Sequence, residues 1–125
     1  MTKQQIFDTV AKHLLTQNRK SIVPYGCAYF GPDNTHCAIG ILMLEHPGKY
    51  NTGWGVENLM NTCPSLLPPI SNLTPRAWKD FFQNLQYIHD SCEPEGWRDA
   101  LRLFARNRRL SAAVLRSYYA SAPAS

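Results

Sequence analysis

The chain has 125 residues and a formal charge of +4, with 44% hydrophobic, 11% aromatic and 18% charged residues. A chain of this length buries about two-thirds of its unfolded surface as one domain, so it needs no disulfide or structural metal to fold, and it is too apolar to be disordered. No stretch approaches the ~18 consecutive apolar residues of a membrane span, and no P-loop, dinucleotide-binding glycine pattern or G-x-S-x-G elbow occurs.

The N-terminus lacks the apolar run and small-residue cleavage site of a secretory leader. A cytoplasmic location with the four cysteines as thiols is therefore expected. Thr2 and Gln5 form a T-x-x-Q capping box. Behind it, Ile6, Val10 and Leu14 repeat at helical spacing beside Phe7, Ala11 and Leu15. This first helix is expected to end near Asn18, with Arg19 and Lys20 at the negative end of its dipole.

Residues 22–30 read as extended, since Pro24 and Gly26 break a helix and Ile22, Val23 and two tyrosines favour strand. Gly31-Pro32-Asp33-Asn34 reads as a tight turn. For residues 35–44 the pattern allows a second hairpin strand or a short helix, and the favoured reading is extended to His36, then helix to Leu44. Gly40 in a helix costs about 1 kcal/mol against Ala, so it is expected to admit the close approach of another backbone or a ring.

A Gly/Asn/Thr loop carrying Trp54 precedes one or two helical turns over 56–61. Pro64, Pro68 and Pro69 make 63–73 irregular. Thr74-Pro75 then starts a helix whose inner face carries Trp78, Phe81, Phe82, Leu85, Ile88 and His89 to about Ser91. Pro94 starts the next, with the stripe Trp97, Leu101, Phe104 and Ala105. Ser111 caps a last short helix with Val114, Leu115 and Tyr118. The expected fold is α-rich (α+β), with about four to five helices around one short β-hairpin or extended segment. A single domain over 1–119 and a frayed tail over 120–125 complete the expectation.

Gly26-Cys27-Ala28-Tyr29-Phe30-Gly31-Pro32-Asp33 is followed by Cys37-Ala38-Ile39-Gly40, and later by Leu85-Gln86-Tyr87-Ile88-His89-Asp90-Ser91 and Trp97. In these motifs the chain resembles a group of small bacteriophage and prophage proteins of unassigned function. The likeness runs from about Gln4 to Leu110 and departs at Phe30, where that pattern often has Arg. The motifs label a family without naming a chemistry; together with the small size and the lack of a catalytic constellation, the likeness leads to the expectation of an accessory protein in the cytoplasm of a bacterial host that acts by binding a host macromolecule.

Cys27 and Cys37 form a C-x9-C pair with His36 beside the second. Zinc knuckles want about two to four intervening residues, so Cys27, Cys37 and His36 are weak metal candidates and plain buried thiols are the favoured reading. A disulfide between them needs Cα atoms within about 7 Å. A catalytic reading places Cys37 in a first helical turn, its thiol lowered by the dipole and His36, with His89 as base. Against this, Asp90 is adjacent to His89 on one helix, and neighbours there point about 100° apart, which disfavours its orienting the ring. The plainer reading of His89, Asp90 and Ser91 is helix termination.

From Gly96 onward stand six arginines and one acid, Asp99. Arg98, Arg102, Arg106 and Arg109 recur on the face opposite Trp97, Leu101 and Phe104. A solvated helix face is the usual meaning; an acidic protein surface or nucleic acid is the sharper one. Trp54, Tyr118 and Tyr119 are aromatic interface candidates. The expected function is binding of a host protein without catalysis, cofactor or membrane association. Nucleic-acid binding by the arginines and thiol catalysis at Cys37 are the alternatives.

Overall fold

A computed structural model describes residues 1–24 and 26–121, the side chains of 119–121 excepted. The capping box forms as the sequence dictates. Thr2 Oγ accepts the Gln5 N–H at 3.1 Å, and Gln5 Oε1 accepts the Thr2 N–H at 2.8 Å. Helix α1 (Lys3–Gln17) follows and buries Ile6, Phe7, Val10, Ala11 and Leu14. It closes at Asn18, whose left-handed backbone (φ 51) lets its N–H bond the Leu14 carbonyl.

Strands β1 (Ile22–Val23) and β2 (Gly26–Cys27) pair antiparallel, with Ile22 opposite Cys27. The hairpin thus lies within the extended segment, before the Gly31 turn. An isolated bridge between Phe30 and His36 spans that turn, where Asp33 and Asn34 adopt φ 57 and 58. After His36 the chain forms a 3-10 turn over Gly40–Leu42 and not the expected longer helix. The reason is contact with Tyr29. Cys37 N–H bonds the Tyr29 carbonyl at 3.2 Å, and a Cβ on Gly40 would lie 2.0 Å from that same oxygen. Gly40 therefore serves the close backbone approach its position suggested.

Helix α2 (Val56–Thr62) and a 3-10 turn at Pro64–Leu66 lead to α3 (Pro75–Ser91), capped by Thr74 Oγ on the Ala77 N–H. Helix α4 (Pro94–Asn107), a 3-10 turn at Ala113–Leu115 and α5 (Arg116–Ser121) complete the described chain. Helix α5 extends past the expected boundary at 119, and the tail beyond it lies outside the described residues. The architecture is α-rich with one small hairpin. Phe7 of α1 stacks on Phe104 of α4 at 5.9 Å, and Phe104 meets Phe81 of α3 edge-on at 5.3 Å. These rings join three helices into one core with Trp97, Phe82 and Leu101 fully buried. Tyr118 turns inward on α1, its hydroxyl 2.8 Å from Thr16 Oγ.

Candidate functional site

Three elements converge on a cleft of about 360 Å³. The hairpin supplies Cys27 and Ala28, the loop before α2 supplies Trp54, and α3 supplies Gln83, Gln86, Tyr87 and Asp90. Residues 83, 86, 87 and 90 share one helical face, which is why a single helix can present them together. Tyr29 and Cys37 form part of the wall.

Behind Asp90 lies His89, completely buried and stacked on Trp97 at 5.5 Å. Its Nε2 accepts the backbone N–H of Ser21 at 3.1 Å. That contact leaves Nδ1 as the protonated nitrogen, and it donates to Asp90 Oδ1 at 2.8 Å. The sequence argument that Asp90 is badly placed to meet this ring is therefore corrected. Nδ1 is the ring nitrogen nearest the backbone, so a short neighbouring side chain reaches it although the two Cβ directions diverge. Ser21 is itself fixed to the hairpin, with its Oγ donating to the Ala28 carbonyl at 2.7 Å and its own carbonyl accepting the Ala28 N–H at 2.9 Å.

Gln86 Nε2 also donates to Asp90 Oδ1, at 2.8 Å, while Gln86 Oε1 accepts the Ile39 N–H at 3.1 Å. Burial alone would raise the Asp90 carboxyl. Hydrogen bonds from His89, the Cys27 thiol and Gln86 outweigh it and hold the group below its ordinary value. The reverse holds at Cys27. Burial and the adjacent Asp90 charge push that thiol up to about 11. Burial pushes the fully buried Cys37 thiol up to about 12, although it accepts the Gly40 N–H at 3.2 Å. Cys37 also stands outside any helical first turn, so the dipole expected to lower it is missing.

Cys27 Sγ, an Asp90 oxygen and a His89 nitrogen lie within 4.8 Å of one another. A metal ligated by Nδ1 would require the proton on Nε2, where it would face the Ser21 N–H. Two donors would then oppose each other, so the triplet fits a metal poorly. Of the metal candidates named from sequence, Cys27 and Cys37 both line the cleft and His36 does not. His36 sits edge-on to Phe30 at 4.6 Å and to His13 at 5.9 Å. Its backbone N–H is held by Gln17 Oε1 at 2.8 Å.

Trp54 stands at the rim, 37% exposed, and its carbonyl accepts the Tyr29 hydroxyl at 2.6 Å. Tyr87 is more open, at 66%. Sequence reasoning quoted Gln86 and Tyr87 within a motif but placed neither them nor Gln83 at a site. The available signal was their i, i+3, i+4 spacing ahead of Asp90.

On α4, Arg98 and Arg102 both approach Asp99, at 3.8 and 3.6 Å. Arg102 and Arg106 border a shallow depression with Asp99 and the exposed Leu103. Arg109 follows the helix end with a left-handed backbone (φ 56), so it leaves the helical row. Arg108 lies over the Phe104 ring at 4.0 Å and 3.8 Å from Asp80. The Tyr119 side chain lies outside the described residues.

No family model, curated protein or solved structure matches the chain. No helix among the described residues is long and apolar enough to cross a membrane.

Proposed function

We propose that the chain is an accessory protein of phage or prophage type that acts by binding a host protein, without catalysis of its own, and that the cleft beside Asp90 is its recognition element. The observation that carries this reading is the engagement of both His89 nitrogens, by Ser21 and by Asp90. A general base needs a lone pair facing a reacting group, and this one faces a backbone donor. The thiols beside it are pushed up, which opposes a nucleophilic role. What the cluster does supply is a rigid polar floor beneath two exposed aromatic side chains, Trp54 and Tyr87.

The test is capture from bacterial lysate with covalent crosslinking, followed by reconstitution with the purified partner. Wild-type protein is compared with Trp54→Ala/Tyr87→Ala and with Arg102→Ala/Arg106→Ala. The reading requires a partner that wild type binds and the cleft variant loses. A chain that enriches nothing beyond both variants contradicts it.

A further inference from the structure

The cleft carries one formal charge. Among its lining residues Asp90 is the single carboxylic acid, and no lysine or arginine stands with it. Lys20 points to the end of α3, where its Nζ donates to the Asp90 backbone carbonyl at 3.2 Å and lies 3.7 Å from Glu93. His89 and Gln86 both donate to Oδ1, and the Cys27 thiol is the third donor to this carboxylate. The carboxylate is ionised and 41% exposed, so a cation entering the cleft reaches it without displacing a lysine or arginine. The walls suit a cation too. Trp54 and Tyr87 offer exposed aromatic surface beside the carboxylate, and ring faces attract cations electrostatically. The exposed Gln83 adds an amide acceptor at the rim. A volume of about 360 Å³ lies at the small end of ligand pockets and admits an alkylguanidinium group with its chain.

From these features we infer that the cleft binds an organic cation, an alkylammonium or alkylguanidinium group, with Asp90 as its counter-ion and Trp54 and Tyr87 as its walls. The inference rests on the binding reading above and names the chemistry the cleft selects. The group comes either from a free small amine or from a lysine or arginine side chain of a protein.

Isothermal titration calorimetry of the full chain distinguishes these cases. The probes are butylguanidinium and its uncharged isostere butylurea, then acetyl-glycyl-arginyl-glycine amide and the same peptide with citrulline in place of arginine. Charged probes are expected to bind on the order of tenfold more tightly than their uncharged isosteres. Asp90→Asn keeps an oxygen for His89 and Gln86, so it is expected to fold while losing the preference. Trp54→Ala is expected to weaken the charged probes in a chain that remains folded by circular dichroism. Equal binding of butylurea and butylguanidinium, no binding of either, or a preference that survives in Asp90→Asn overturns the inference. Binding of butylguanidinium without the arginyl peptide upholds the inference and contradicts the host-protein reading for this cleft. Loss of lysate capture in the cleft variant, with no charge preference in calorimetry, does the opposite.

Discussion

His89 of α3 accepts the backbone N–H of Ser21 through Nε2 at 3.1 Å, and this one bond ties the hairpin to the helix that floors the cleft. It satisfies a buried donor and fixes the tautomer that points Nδ1–H at Asp90. Replacing His89 with Ala orphans the Ser21 N–H and removes the ring stacked on Trp97. The expected cost is about 2–4 kcal/mol, from a lost buried partner and a cavity together. Urea denaturation measures it, and a loss below about 1 kcal/mol means the bond is not structural.

The thiols give a second prediction. Iodoacetamide at neutral pH is expected to label Cys37 most slowly, because the residue is fully buried and its thiol is pushed up to about 12. Asp90→Asn is expected to lower the labelling midpoint of Cys27, since the carboxylate helps hold that thiol at about 11. The same shifts act on stability. Above pH 9.0 the unfolded thiols release protons while the folded ones keep them. Stability is therefore complete below that pH and falls as pH rises toward the folded values, by about 1.4 kcal/mol per pH unit for Cys37 alone. Fast labelling of Cys37 at neutral pH, or flat alkaline stability, contradicts this.

On the acid side, burial lowers the pKa of His13 below 6.5, against a raising contribution from the His36 carbonyl bonded to its Nε2. The unfolded chain takes up this proton first. Stability is thus intact above 6.5 and declines as pH falls from there to the folded value. His13→Gln is expected to flatten that decline in urea midpoints across the window. An unchanged slope in the variant means another group controls it.

Gly40→Ala places a methyl group 2.0 Å from the Tyr29 carbonyl, a backbone atom with no side-chain freedom to yield. The expected loss is about 3 kcal/mol or more, at or above the top of the usual overpacking range. A variant melting at the wild-type temperature shows that the 29–40 contact is looser than described.

For the α4 face, Asp99 beside Arg98 and Arg102 offsets part of the positive charge. Wild-type protein is accordingly expected to leave duplex oligonucleotides unshifted at moderate salt. A salt-dependent shift whose log–log slope drops by about two units in Arg102→Ala/Arg106→Ala reinstates nucleic-acid binding.

Helix positions were legible because they are written locally. Thr2 with Gln5, Thr74 with Pro75, and Pro94 mark the starts, and Asn18 marks an end, each through its own backbone preference. The hairpin and the 35–44 segment were less legible. Their shape is set by Tyr29, Ser21 and Gln17, partners distant in sequence from the residues they hold. The site was half legible. Cys27, Cys37, His89 and Asp90 drew notice as reactive types, but the alternative that set His36 beside a reactive Cys37 did not foresee that His36 turns to Phe30 and His13. Their true relation depends on a peptide N–H, and no side-chain pattern encodes that.

The most direct test of a locked recognition cluster is the tautomer of His89, read from long-range ¹H–¹⁵N correlations at neutral pH. The expected spectrum has the proton on Nδ1, which donates to Asp90, and an Nε2 that accepts the Ser21 N–H. A proton on Nε2 with a bare Nδ1 contradicts the structure's arrangement and returns the cluster to thiol chemistry.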